Sequence, residues 1–172
     1  MWRPSASFFP KTILDIPQYG CVNIHASLLP KYRGAAPIQF AVINGESVSG
    51  ITTMMMAPTL DTGDILDQES VALDEKETGG SLHDKLSAIG GRLIIKTLKK
   101  LEDGTAVRTV QDEEKMTYFG MLKKSMGDID WNQDAASIER LIRGLNPWAQ
   151  CLHELGRKDD QALGGRCTGR RV

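Results

Sequence analysis

The sequence predicts an α/β domain in which a small sheet is covered by one long helix. Three segments have the alternation or the β-branched composition of strands, and one has apolar residues at helical spacing. The chain has 172 residues, of which 25% are charged and 41% hydrophobic, so it suits one domain with a real core. This composition excludes collagen-like and strongly disordered chains. Four short strands would still make a thin sheet that the helices cover only partly.

The first predicted strand is residues 21–25, in which apolar and polar side chains alternate after a glycine. Side chains two positions apart in a strand lie on the same face, so Asn23 and His25 are expected to be neighbours. Proline and glycine in residues 26–34 predict a loop directly after this strand.

A short helix and two more strands are predicted next. Pro37 precedes the helix at 38–43, and proline is tolerated at a helix start. Residues 48–56 and 65–73 have the composition of strands. The connection at 57–64 is rich in proline, threonine, aspartate and glycine, which predicts a turn.

A long amphipathic helix is predicted over residues 81–101, because apolar residues recur there at spacings of three and four. Gly90 and Gly91 each cost about 1 kcal/mol relative to alanine, so we expect them to allow close packing against the sheet. A short strand at 106–110 and a second amphipathic helix at 135–145 complete the predicted elements.

Charge and cysteine content narrow the possible functions. The chain has 21 basic and 22 acidic side chains, whereas proteins that bind nucleic acid mainly through phosphates usually have a basic face. Its 3 cysteines are odd in number and widely spaced, which indicates free thiols rather than a disulfide framework or a zinc knuckle. No apolar run approaches the roughly 20 residues of a membrane span, and no signal-peptide pattern is present, so we expect a cytoplasmic protein.

Asn23, His25 and an acid of the 57–64 turn, either Asp61 or Asp64, could converge on one site. Ligands of open α/β sheets collect outside the carboxyl ends of the strands, where both segments are expected to lie. Acyl transfer requires an amide donor for a developing oxyanion, an imidazole, and an acid that orients it. Without further information, however, these residues would most often be structural, and the acids turn formers.

Two segments resemble the methionyl-tRNA formyltransferase family: residues 23–38, NIHASLLPKYRGAAPI, and residues 60–64, LDTGD. Segments 82–86, 129–131 and 142–148 extend the resemblance. They also distinguish the chain from glycinamide ribonucleotide formyltransferases, which share only the asparagine, histidine and aspartate.

The resemblance implies the C-terminal half of a Rossmann-like formyltransferase sheet with a long packing helix. The implied reaction transfers a formyl group from 10-formyltetrahydrofolate to the amino group of initiator methionyl-tRNA, without a metal, in a monomeric enzyme. Asn23 and protonated His25 would stabilise the oxyanion. Asp61 would hold His25 and favour its charged form. The segment implied to border the folate comprises Ser27, Leu28, Leu29 and Pro30.

Several other residues carry expectations from the sequence. Thr59 stands where relatives commonly have glycine, and could stiffen the approach to Asp61. Lys31 and Arg33 are expected to face either the tRNA end or solvent. Structural roles are expected for the remaining candidates: His83 on a helix surface, Met54, Met55 and Met56 in a core strand, and Trp131 and Trp148 in packing.

The resemblance also predicts domain boundaries. Residues 1–9 are expected to lie outside the family, 10–115 to form the C-terminal part of the catalytic domain, and 116–148 to lead toward a missing C-terminal domain. Residues 149–172 are expected to be a disordered tail outside the family. Out-of-frame readings of both ends restore family-like residues, so we expect a truncated form, bounded by two frameshifts and inactive alone.

Three alternatives stay open. The chain could be a non-catalytic fragment, which an assay of formyl transfer would distinguish. It could act on another amine, such as glycinamide ribonucleotide or an amino sugar nucleotide, although segments 129–131 and 143–148 speak against this. A metal hydrolase built on His25 and His83 is a third possibility, but the histidine spacing matches no metal motif.

Overall fold

The computed structural model describes residues 9–148, 151–155 and 158–162. The α-helices in these ranges are α1 (Lys11–Leu14), α2 (Pro37–Ile43), α3 (Gly79–Glu102) and α4 (Ala135–Gly144). The strands are β1 (Val22–His25), β2 (Arg33–Gly34), β3 (Val48–Met55), β4 (Ile65–Ala72), β5 (Tyr118–Phe119), β6 (Cys151–Leu155) and β7 (Lys158–Ala162). The predicted strands at 21–25, 48–56 and 65–73 are therefore confirmed to within one residue at each end.

The main sheet has three strands in the order β1-β3-β4, and both pairings are antiparallel. The predicted fourth strand at 106–110 is wrong, because that segment forms only an isolated bridge between Thr109 and Ile65. Val107 and Val110 are 72% and 80% exposed, so a strand there would gain little from side-chain packing.

Helix α3 covers one face of this sheet. It begins with a capping box in which Thr78 and Ser81 bond each other's backbone N–H groups. Its buried side chains pack with β3 and α2 in one apolar cluster: Leu82, Leu86, Ile89, Leu93, Ile51, Ala41 and Val42. A Cβ on Gly90 would lie 3.3 Å from Ile24, which confirms the expected close packing. The same expectation is wrong for Gly91, where a Cβ would meet nothing within 4 Å.

Helix α4 packs against α2 through a second apolar cluster of buried residues: Ile138, Ile142, Leu145 and Cys151. The approach is close, since a Cβ on Gly144 would lie 2.4 Å from Ile43. The expectation that Trp131 and Trp148 are packing residues is wrong, because they are 50% and 59% exposed. The buried cluster beside α4 is built from smaller side chains instead.

The described part of the predicted disordered tail forms an antiparallel pair, with Cys151 opposite Ala162 and Leu155 opposite Lys158. The prediction of disorder is corrected for these residues, because backbone pairing does not require large apolar side chains. The pair is anchored by Cys151, which belongs to the α4 cluster. Burial raises the pKa of the Cys151 thiol to about 11.

The expectations about thiols and membranes can be compared with the described ranges. Cys21 and Cys151 are free cysteines, as predicted, whereas Cys167 lies outside the described residues. Within these ranges, none of the helices combines the length and apolarity that crossing a bilayer requires.

Candidate active site

Asn23 and His25 lie on the face of the sheet opposite α3. Side chains alternate along β1, and Ile24 between them points toward Gly90 of α3. Thr52, directly opposite His25 on β3, is fully buried and binds the loop that covers this face. Its hydroxyl donates to the Ser27 carbonyl at 2.6 Å and accepts from the Leu29 amide at 3.1 Å.

His25 is 6% exposed and lies between a carbonyl and a carboxylate. Its Nε2 is 2.8 Å from the carbonyl oxygen of Tyr32, which can only accept, so Nε2 carries a hydrogen and donates. Its Nδ1 therefore faces Asp61, whose Oδ1 is 3.7 Å away. That separation is longer than a hydrogen bond but within ion-pair range.

Asp61 reaches His25 by a route that differs from the prediction. Because β1 and β3 are antiparallel, β3 ends beside Val22 at the start of β1, not beside its carboxyl end. The 57–64 turn then brings Asp61 back to His25. Asp61 is 8% exposed with φ of 53°, and its Oδ2 accepts the Gly34 amide hydrogen at 2.8 Å. Its two carboxylate oxygens thus face different groups: Oδ1 faces the His25 imidazole and Oδ2 binds the Gly34 amide.

Asn23 is the member of the trio that keeps its side chain available. It is half-buried and stands opposite Met54, which is 3% exposed, as expected for a core strand. Its amide group makes no hydrogen bond to any other residue that the structure describes. A substrate oxygen at this face would therefore meet a free amide donor.

The structure places the remaining sequence candidates around this centre. His83 is exposed on α3, as expected. Lys31 is exposed, but the expectation that Arg33 faces solvent or tRNA is wrong, since Arg33 is 4% exposed. Its guanidinium donates to the Gln111 amide oxygen on the inner side and to Glu113 on the outer side, and the Glu113 carboxylate compensates its charge.

Sequence reasoning missed Gln111, which supports the turn that carries Asp61. Its Nε2 donates to the carbonyl oxygens of Asp61 and Gly63 at 2.9 and 2.8 Å. No sequence pattern points to it, because it lies in an aperiodic segment 50 residues away from Asp61.

The predicted folate-bordering residues are bound into the loop above Thr52. The Ser27 hydroxyl donates to the Lys31 carbonyl at 2.7 Å, and the Leu29 carbonyl accepts from the Gln68 side-chain amide at 2.9 Å. Ser27 and Leu29 are buried, whereas Leu28 and Pro30 are half-buried. Ser27 and Leu28 line a small cavity of about 180 Å³ together with Tyr32 and Glu46.

A larger cavity, of about 490 Å³, borders the turn that carries Asp61. Its walls come from residues 11–21 and 55–64 together with Arg108, and Thr62 and Gly63 are among them. Across this turn the Thr59 hydroxyl bonds the Thr62 hydroxyl. No cluster of three or more histidine, cysteine, aspartate or glutamate side chains among the described residues could hold a metal ion.

Two family models match the sequence: "Formyl transferase" over residues 6–98 and "Formyl transferase, C-terminal domain" over residues 121–163. The chain belongs to the formyl transferase family. The resemblance found in residues 23–38 and 60–64 is thus confirmed, while the exact domain boundaries stay a prediction.

Relatives among known proteins are methionyl-tRNA formyltransferases. The chain is 57% identical over 148 residues to that of Agathobacter rectalis, covering 86% of this chain and 48% of the relative. It is 60% identical over 139 residues to that of Lachnospira eligens, covering 81% of this chain and 44% of the relative. The chain thus spans about half the length of the curated relatives it matches.

Solved formyltransferase structures share the fold and confirm the predicted fold class. One is WlaRD, a sugar 3N-formyl transferase crystallised in the presence of dTDP and 5-N-formyl-THF. It is 26% identical to this chain with a TM-score of 0.67, and the match covers 72% of this chain and 45% of WlaRD. The Helicobacter canadensis N-formyltransferase, in complex with folinic acid and dTDP-3-aminofucose, has 22% identity and a TM-score of 0.71 over 88% and 57%, respectively.

Proposed function

We propose that this chain supplies the catalytic residues that transfer a formyl group from 10-formyltetrahydrofolate to the amino group of initiator methionyl-tRNA, as part of translation initiation in the cytoplasm. The observation that carries the proposal is the 3.7 Å approach of His25 to Asp61 on the sheet face that also bears Asn23. Identities of 57% and 60% to methionyl-tRNA formyltransferases support this acceptor. We further propose that the enzyme acts as a monomer.

Asn23 and His25 act on the oxygen of the formyl group. The attacking amine forms a new C–N bond to the formyl carbon, whose oxygen becomes an oxyanion, and the bond from that carbon to N10 of the folate then breaks. Asn23 donates to the oxyanion, and one such donor is commonly worth about 3 to 4 kcal/mol. His25 becomes a second donor when Nε2 exchanges the Tyr32 carbonyl for the oxyanion.

Asp61 has two tasks in this proposal. Through Oδ1 it stabilises positive charge on the imidazole, and through a water molecule it accepts the proton that the attacking amine must lose. As the bond to the formyl carbon breaks, this proton is delivered to N10 of the departing folate. The Gly34 amide bound to Oδ2 keeps the carboxylate in place during this transfer.

A folate donor is supported by the space beside Asp61. The 490 Å³ cavity is lined by Thr62 and Gly63, the two residues that follow Asp61, and it has room for part of a donor. Ser27, Leu28, Leu29 and Pro30 are proposed as a second boundary of the folate. The solved relatives described with 5-N-formyl-THF and folinic acid support the same class of donor.

A chimeric enzyme tests the function directly. The 148 matched residues of the Agathobacter rectalis relative are replaced by the corresponding residues of this chain. We expect the chimera to formylate methionyl-tRNA, and His25→Ala to lower kcat by about 10³-fold or more, because an oxyanion donor and a charge partner are lost. The matched control is His83→Ala on the exposed face of α3, which should leave kcat unchanged.

Three results would contradict the proposal. A folded chimera could fail to formylate methionyl-tRNA, it could formylate a dTDP-linked amino sugar instead, or it could keep its rate when His25 is replaced. The second result would favour the sugar-directed alternative.

A further inference from the structure

A buried polar bridge joins Arg33 to the turn that carries Asp61, with Gln111 in the middle. Arg33 and Gln111 are 4% and 5% exposed. The guanidinium donates from Nε and Nη2 to the Gln111 Oε1 at 3.0 and 2.7 Å, and Glu113 accepts from its outer side. The bridge connects segments that are far apart in the sequence.

The amide of Gln111 has one possible orientation in this bridge. Guanidinium groups can only donate, so the amide oxygen must face Arg33 and the amide NH₂ must face the turn. Both NH₂ hydrogens are then used, on the carbonyl oxygens of Asp61 and Gly63 at 2.9 and 2.8 Å. Arg33 thereby fixes the orientation of the group that binds the turn.

The backbone of Asp61 needs such support. Its φ of 53° is a conformation that residues other than glycine adopt infrequently, and it sets the direction of the side chain. A change in this conformation would move the carboxylate away from both the Gly34 amide and His25, which lie 2.8 and 3.7 Å from its oxygens.

We propose that Gln111 is a positioning residue for Asp61 and that Arg33 fixes the orientation of the Gln111 amide. This inference rests on the proposed function only in treating Asp61 as a catalytic residue. Gln111 touches the backbone of the turn and acts on the reaction through Asp61. The bridge determines where the carboxylate stands.

Hydrogen exchange of the full chain tests this placement without an activity assay. The Gly34 amide reports on the Asp61 carboxylate, whereas the neighbouring Ala35 amide donates to the Phe119 carbonyl and reports on the β2-β5 pairing. Gln111→Glu keeps an acceptor for Arg33 but cannot donate to the two carbonyls. We expect Gly34 to exchange about tenfold faster relative to Ala35, because its carboxylate partner is displaced.

Two further variants keep the test decisive. Gln111→Met removes the same donors without adding a charge and should produce the same change at Gly34. Thr97→Val is the matched control, because Thr97 is fully buried and its hydroxyl bonds Thr53 and Asp67 on the other face of the sheet. It should lower stability and leave the ratio of Gly34 to Ala35 exchange unchanged.

Kinetics of the chimera form the second readout. Gln111→Glu and Gln111→Met should lower kcat by about tenfold with little change in KM, because the acid is misplaced while the binding surfaces remain. A merely structural role predicts parallel exchange of Gly34 and Ala35 and an unchanged kcat per folded enzyme, and that result would overturn the inference. If Gly34 responds while the unsubstituted chimera is inactive, the positioning stands and the proposed function fails.

Discussion

The two faces of the three-stranded sheet are covered by different kinds of interaction. The face toward α3 is closed by aliphatic side chains such as Leu82, Leu86 and Ile51, whose burial stabilises the fold without directional contacts. The face toward the candidate site is closed by loops that buried polar groups hold in place, with Thr52 and Gln111 among them. The α3 face thus mainly stabilises the fold, whereas the polar groups on the other face hold the candidate site residues in position.

The polar contacts that begin α3 and those that hold the candidate site differ in range. The capping box of α3 is local, since Thr78 and Ser81 are three positions apart. Around the site the polar contacts join distant segments, since Gly34 binds Asp61 across 27 positions and Arg33 binds Gln111 across 78. Local contacts form early and cost little chain entropy, whereas the site depends on the complete fold.

Leu86→Ala should give the largest loss of stability, because the side chain is 1% exposed in the apolar cluster on the α3 face. We expect the free energy of unfolding to fall by about 2 to 5 kcal/mol, measured by chemical denaturation. If the variant lost less than about 1 kcal/mol, the α3 face would not carry the stability that we assign to it.

Glu77→Gln should have the next largest effect, and it should depend on pH. Burial raises the pKa of Glu77, but hydrogen bonds from Lys85, Ser81 and the Asp74 amide outweigh it and hold the pKa below its usual value. The folded state therefore binds fewer protons than the unfolded state. The stability that ionised Glu77 contributes is fully present above its ordinary pKa and is lost as the pH falls through the lowered pKa. We expect the variant to lose about 1 to 3 kcal/mol at pH 7 and progressively less toward pH 3. A loss that does not vary with pH would contradict this linkage.

Tyr32→Phe probes the loop face at high pH. Burial, followed by the hydrogen bond to Glu46, raises the pKa of Tyr32 to about 12. The unfolded chain loses this proton near pH 10, so unfolding releases a proton between about pH 10 and 12 and the folded state loses stability there. The variant should lose about 1 kcal/mol at pH 8 and should lack this alkaline decline. Parallel pH profiles of both proteins from pH 8 to 11 would count against the assignment.

Thr59→Gly should have the smallest effect. It removes the hydroxyl contact with Thr62 across the turn and adds freedom to the unfolded chain, which together should cost about 0.5 to 1 kcal/mol in thermal unfolding. A gain in stability would show that Thr59 strains the turn, in contrast to the stiffening expected from the sequence.

Regular elements were predictable from the sequence because their residues respond to a local period. The spacing of Leu82, Leu86, Ile89 and Leu93 predicts α3, and the alternation in 21–25 predicts the shared face of Asn23 and His25. The approach of Asp61 had no periodic signal, and only the family motif selected it over Asp64. Gln111 and the burial of Arg33 could not be predicted, because paired polar side chains in loops have no spacing rule.

The central claim, that Asn23, His25 and Asp61 act together in formyl transfer, is tested most directly by replacing them singly and together in the chimera and measuring kcat. Residues that act as one unit have strongly non-additive effects. We predict that the triple variant is no slower than the slowest single variant by more than about tenfold, with every single variant impaired. Single variants that retain the full rate, or losses that simply multiply, would contradict the account.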